Sequence, residues 1–364
     1  MVSVKPPAVV YVVVLLALVL GACEDDAIGQ PSTTGAPPTS DAPTASTLAP
    51  EPPLLKGWEQ VGLLPTSMFP GWILTPVDER IIVLANDSTT VIELNGRSRT
   101  GEGPPVRVTP TPGCCGSVVG IPVEDQLVVF DAYQPATWLL DPNTTTWTQI
   151  GDRSSTGDVL GWAAIGDSVY VVTARRGGGL VQTPAEVLNT STWEWEQIEP
   201  IPVVMSVGDV TTDGEKLFVA GVRQDSYNNL VVGNREPAVY EYADGAWSRL
   251  PDAPVDGQAS TISWVAGAGL LAWNYDLESA LLDAGEWEST ETVPMDHQEC
   301  YPHGFQVEGG VVGACGGLAF FDAASRGWSP ISTSYEASYV VVGDAVYELA
   351  SSGEGTRLAV HQLP

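Results

Sequence analysis

Residues 161–198 read GWAAIGDSVYVVTARRGGGLVQTPAEVLNTSTWEWEQI, and the reading of this stretch decides the fold. Gly161–Ile165 is a short apolar run, Gly166-Asp167 a tight-turn pair, and Ser168–Thr173 a second run rich in β-branched residues. A glycine-rich loop follows. Ala185–Leu188 is a third run, Asn189-Thr190-Ser191-Thr192 a polar turn, and Trp193–Ile198 a fourth run. Short runs of this kind, bounded by Gly, Asn and Asp, read as four antiparallel strands in succession.

The same order recurs over Ser260–Thr290 and Gly304–Ile331, each unit closed by a tryptophan after a polar turn. The closing residues are Trp58, Trp147, Trp195, Trp247, Trp287 and Trp328, and the last four intervals are 48, 52, 40 and 41 residues. The first interval, 89 residues, corresponds to two units with one tryptophan missing, its place falling near Arg97-Ser98-Arg99. A period in this range marks an architecture built from one repeated supersecondary unit. The indoles are expected to be packing core rather than a platform for ligand.

The unit resembles the kelch repeat: an apolar second strand ending in Gly-Gly, an aromatic or aliphatic third strand, a polar turn, and Trp on the fourth. Its cleanest copy is Val311-Val312-Gly313-Ala314-Cys315-Gly316-Gly317, then Phe320-Phe321-Asp322 and Trp328. The resemblance covers residues 57–364 and is degenerate, since the Gly-Gly pair is clean only in that copy. It implies an all-β fold, a β-propeller of four-stranded kelch-like blades. The competing all-β arrangement is one or two sandwiches. Trp58–Gly62 reads as a lone fourth strand, and Tyr339–Val342, Ala345–Leu349 and Arg357–Leu363 as three strands that it completes. Pairing between the two ends removes the open sheet edges. The count is then seven blades, or six if residues 98–146 pair irregularly.

Lys5 followed by the apolar run Ala8–Leu20 reads as a signal peptide, the run being too short to span a bilayer. It ends at Leu20-Gly21-Ala22-Cys23, which resembles the lipobox of bacterial lipoproteins. That resemblance implies cleavage before Cys23 and acylation of the new N-terminus, including a palmitoyl-type chain; the alternative is an ordinary secretory signal with an incidental cysteine. Residues 23–56, rich in Pro, Thr, Ser and Ala, carry too little apolar surface to fold and read as a disordered tether. The expected location is the extracytoplasmic side of the cell membrane, held by lipid.

The formal net charge is −30, with no run of Lys or Arg and no interleaving of basic and aromatic residues. Nucleic acid as a partner is thereby disfavoured, as is electrostatic attachment to anionic lipid. Such a charge suits the solubility of an exported monomer.

In antiparallel blades, loops between second and third strands share a face with the connections between blades. Three unusual segments fall on that face: Ala174–Gly179 with Arg175 and Arg176, the insertion Arg223–Glu236 with Tyr227, Asn228 and Arg235, and Asp296–His303 with His297 and His303. Loops on a rigid scaffold are where function concentrates. Asp296–His303 mixes carboxylate, imidazole and thiol, yet its spacing matches no strong zinc pattern, so no metal and no cofactor is expected. Cys300 is expected to pair with Cys315 across the turn at Glu308-Gly309. Cys114 and Cys115, flanked by glycines, form either a vicinal disulfide or free thiols.

Kelch-like propellers also form the body of galactose oxidase, but the histidine, tyrosine and cysteine set of its copper site has no counterpart here. No Gly-x-Ser-x-Gly elbow occurs, and three histidines offer little scope for a triad. The sequence therefore points to a binding or scaffold module for a partner protein or a cell-envelope glycan. The alternative is a carbohydrate-active enzyme using carboxylates at the channel mouth.

Overall fold

The structure, a computed structural model, describes residues 57–64, 73–85, 88–94, 105–112, 117–174, 182–224, 236–255, 261–295, 303–315, 317–332, 337–352 and 355–363. Twenty-eight strands form seven four-stranded antiparallel sheets, and among the described residues there is no helix. The chain is a seven-bladed β-propeller. Residues 98–146, where an irregular pairing would have left six blades, supply Val106–Pro110 to blade one and three strands of blade two, all in regular register.

The first strand of each blade is innermost. These strands are Ile73–Val77, Val118–Val123, Asp158–Ile165, Val204–Thr212, Thr261–Val265, His303–Val307 and Ala337–Val342, and neighbours among them pack against one another from blade seven through blade one to blade six. The ring closes in blade seven, where Glu59–Leu64 lies antiparallel to Gly355–Gln362, with Glu59 opposite Val360 and Leu64 opposite Thr356. The pairing covers the edge that Gly355–Gln362 would otherwise present and makes Glu59–Leu64 the outer strand of the blade, as the fourth strand is in the others.

Packing follows from period-2 alternation, since both faces of every blade meet a neighbour. Each of the seven seams has its own apolar cluster. Val119 and Phe130 meet Trp162 and Leu188 between blades two and three, and Leu271 and Trp273 meet Phe321 and Trp328 between blades five and six. At two seams a glycine meets the neighbouring blade so closely that a side chain does not fit. A Cβ on Gly161 would stand 2.8 Å from the Val210 nitrogen, and one on Gly304 would stand 2.2 Å from Ser263 Oγ.

The repeated tryptophan occupies one register position on the outer strand. Trp147, Trp195, Trp247, Trp287 and Trp328 lie opposite Leu140, Leu188, Tyr242, Leu282 and Phe321. Each indole leans onto the preceding blade. Trp195 Nε1 donates to Thr137 Oγ1 and Trp328 Nε1 to Ser279 Oγ, both at 3.1 Å. Trp247 and Trp287 donate instead to the Glu199 and Pro251 carbonyls of the connections before their blades, at 2.6 and 2.8 Å. The indole is therefore a seam filler with a polar handle.

In blade one the corresponding position, opposite Ile92, is Val106, not a residue near 97–99 as the spacing alone suggests. The two intervals around it then become 106 − 58 = 48 and 147 − 106 = 41 residues, within the range of the others. A charged stitch lies beside this smaller side chain. Arg80 Nε donates to Glu93 at 3.0 Å, and Arg107 donates to the other oxygen of the same carboxylate. Both arginines also reach blade two: Arg80 Nη2 donates to Asn143 Oδ1 at 2.6 Å and Arg107 Nη1 to the Asn143 carbonyl at 2.5 Å.

The polar turns before the tryptophans close by side-chain capping. Asp141 accepts the Asn143 amide at 2.8 Å and the Thr144 hydroxyl at 2.7 Å, and Asn189 accepts the Ser191 amide at 2.9 Å. The Thr144 hydroxyl holds the Asp141 carboxyl below its usual range despite partial desolvation, and the Ser325 hydroxyl does the same for Asp322.

Candidate functional site

The two faces of the disc differ. One carries the short turns joining first to second strands, such as Glu124-Asp125 and Gly343-Asp344, and those joining third to fourth strands in blades two to six, together with the longer link between Ser88–Glu93 and Val106–Pro110 in blade one, of which residues 95–104 lie outside the described residues. The opposite face carries the described connections between blades, including residues 150–157, 198–203 and 250–255, together with the described loops between second and third strands, such as 132–136 and 274–278. This face bears the candidate site.

Of the residues singled out from sequence, His303 and Cys315 are described. Cys23, Cys114, Cys115, Arg175, Arg176, Tyr227, Asn228, Arg235, His297 and Cys300 lie outside the described residues. His303 opens the inner strand of blade six, opposite Ala314, at the loop-bearing end. Burial pushes its imidazole down to about 4, so it is neutral near pH 7. Cys315 is buried just past the end of Gly310–Ala314.

The most heavily built part of this face is one the sequence reading missed. The connection between blades two and three carries Arg153, whose Nε meets Glu186 Oε2 at 3.1 Å with neither side chain exposed. Arg153 Nη2 donates to Thr173 Oγ1 at 2.8 Å, and the guanidinium stacks over the Phe130 ring at 4.2 Å. The second Glu186 oxygen accepts the Ser154 amide at 2.7 Å, the Ser154 hydroxyl at 2.6 Å and the Ser155 amide at 2.7 Å. Burial lowers the Arg153 pKa from its ordinary value and the Glu186 charge opposes that shift. The same connection is tied back to blade two, the Arg153 amide donating to the Pro135 carbonyl at 2.8 Å and the Gly157 amide to the Ala132 carbonyl at 2.7 Å. The result is a connection fixed on both sides.

Beside it, the Tyr133 hydroxyl donates to Asp158 Oδ1, and the Tyr133 amide donates to Asp131 Oδ1 at 2.8 Å. Asp158 opens the inner strand of blade three, so this pair stands at the mouth of the ring. In blade five, Asn274 and Glu278 tie their loop by reciprocal bonds of 2.9 Å each. Thr183 performs the same service between blades three and four, donating to the Val203 carbonyl at 2.7 Å and accepting the Met205 amide at 2.8 Å.

Deeper along the ring, Asp209 on the inner strand of blade four accepts the Val210 amide at 2.8 Å and is also bonded by the Ile262 amide of blade five. Burial nonetheless pushes its carboxyl up to about 7. Among the described residues, no group of three or more His, Cys, Asp or Glu side chains is disposed to hold a metal ion.

No protein-family model matches this chain, and no curated protein is significantly similar to it. The architecture is thus defined by the strand register and the seam packing set out above.

Proposed function

We propose that this protein is a lipid-anchored extracytoplasmic β-propeller acting as a binding or scaffold module for a partner protein or a cell-envelope glycan, engaged through the loop-bearing face. The observation that carries the reading is the asymmetry of the disc. Apart from the long link in blade one, the turns described on one face are minimal, while the other presents connections fixed by side-chain bonds such as those of Arg153, Glu186 and Thr183. A rigid body with elaborated loops on one side is the arrangement used to present recognition surfaces. The Glu186 carboxylate found there accepts four bonds from within the protein, which suits holding a shape better than turning over a substrate.

The kelch-like resemblance of residues 57–364 and the lipobox at Cys23 belong to the same proposal, as does pairing of Cys300 with Cys315, which would fasten the connection entering blade six. Surface crosslinking of the intact chain in its native host, followed by identification of whatever joins residues 223–236, tests the binding role. Recovery of no crosslinked partner from the loop-bearing face, with the protein folded and abundant, would count against it.

A further inference from the structure

The direction in which the chain enters the propeller has a consequence for which surface a partner meets. Residue 57 lies on the tight-turn face: Glu59 opens the closing strand opposite Val360, near the end of Gly355–Gln362, and His361 Nδ1 lies 3.1 Å from the Gly57 carbonyl oxygen. The chain leaves on the same face, the Leu363 amide donating to the Asp344 carbonyl, in a tight turn of blade seven, at 2.9 Å. Both points belong to the outer two strands of that blade or touch its turn, so the attachment is at the rim, away from the loops.

We infer that, on the anchored chain, the tight-turn face is the membrane-proximal one and the loop-bearing face points outward, toward a soluble or wall-borne macromolecule rather than one embedded in the bilayer. This rests on the reading of Cys23 as the lipidated residue. Between Cys23 and Gly57 there are 57 − 23 − 1 = 33 residues. A chain of that length spans roughly 30 Å as a coil and up to about 100 Å if extended as polyproline. The loop face lies a further blade height away, about 20 Å for strands of six residues. An inverted molecule would have to lead the tether back along that height and so lose the same length of reach.

Charge acts in the same direction at close range. The described proximal turns carry Asp78, Glu79, Glu124, Asp125, Asp213 and Asp344, while the described cations near them, Arg80, Lys216 and Arg326, are already paired with Glu93, Glu241 and Asp283. Anionic lipid repels such a surface within a Debye length of about 8 Å, so the face stands off rather than lying on the headgroups. The loops remain clear of the bilayer, beyond the reach of a membrane-embedded partner.

The test uses the full lipidated chain in vesicles of neutral lipid with a minor anionic fraction and an acceptor-labelled lipid. A donor fluorophore is placed, through a non-natural residue, at exposed position 125 on the tight-turn face or exposed position 134 on the loop face of the same blade. Energy transfer to the bilayer should be severalfold higher from 125 than from 134. Equal or reversed transfer on chain that floats with the vesicles overturns the orientation and leaves the anchor intact. Failure of the chain to float, with no difference from Cys23→Ala, removes the anchor and the orientation together.

Discussion

Arg153 and Glu186 form an ion pair with no exposed side-chain surface, in a seam between two blades of a protein whose net charge is −30. Removing one partner strands the other charge among apolar groups, a loss that typically costs about 3–5 kcal/mol. Arg153→Met and Glu186→Gln should each lower unfolding free energy in that range by denaturant titration. The double variant should be less destabilised than the sum of the singles. Additive losses would show that the two side chains act independently.

The indole anchors separate packing from hydrogen bonding. Trp195→Phe keeps most of the ring volume and loses the bond to Thr137, so a loss of about 1 kcal/mol is expected. Trp195→Ala also opens a cavity against Phe130, whose ring meets the indole edge-on at 6.0 Å, and should cost about 3–5 kcal/mol. Equal losses for the two variants would assign the whole effect to the hydrogen bond and contradict the packing role.

Gly304 faces Ser263 Oγ and the Trp273 ring at distances of 2.2 and 2.4 Å for an added Cβ. Gly304→Ala should therefore push blades five and six apart and destabilise by about 1–3 kcal/mol. Gly166→Ala has nothing within 4 Å of its Cβ and is strained by its φ of +56° alone, so its loss should be smaller. The order of the two midpoints in chemical denaturation checks the claim.

Asp209 and His303 give opposing pH dependences. The folded pKa of Asp209, about 7, lies above the ordinary 3.8, so its contribution is complete below about 4 and is lost as pH rises through 7. The folded pKa of His303, about 4, lies below the ordinary 6.5, so its contribution is complete above 6.5 and is lost as pH falls through 4. Between these limits the two slopes oppose one another. Asp209→Asn leaves the histidine slope alone: relative to the parent, the variant should gain stability toward neutral pH and lose it toward pH 4. Parallel stability curves for parent and variant would show that Asp209 titrates as an ordinary carboxylate.

The stitch in blade one predicts a local rather than global loss. Arg107→Ala removes bonds to both Glu93 and the Asn143 carbonyl. Because Arg107 is partly exposed, solvent screening limits the stability change to about 1 kcal/mol. Hydrogen exchange should quicken in Val106–Pro110 and in the turn at Asn143 while the other blades are unaffected. Uniform acceleration around the ring would point instead to global unfolding.

Much of this fold is legible in the residues because the tryptophan and the capped turn before it recur in fixed register. Asp141, Asn189 and Asp322 each receive backbone or hydroxyl donors two or three residues on, a local interaction that sequence spacing encodes directly. The missing copy escaped such a reading because Val106 looks like any strand residue; only its pairing with Ile92 identifies it. The clamp at Glu186 was less visible, although a signal existed. Glu186 and Leu188 share one side of Ala185–Asn189, and Leu188 is core, so a carboxylate on that parity had to be buried against a cation. Its partner lies 33 residues away, on a connection whose course no local pattern dictates.

The closing pair, Glu59 with Val360, joins residues 360 − 59 = 301 positions apart. Glu59–Leu64, synthesised first among the described strands, thus waits for Gly355–Gln362, synthesised last among them, before blade seven can be completed. Long loop closures of this kind slow folding. On the exported chain proposed above the delay would be useful: a ring that cannot shut early would stay threadable until it had crossed the membrane, and the native body would form on the far side, with Glu59–Leu64 and Gly355–Gln362 locked into one sheet.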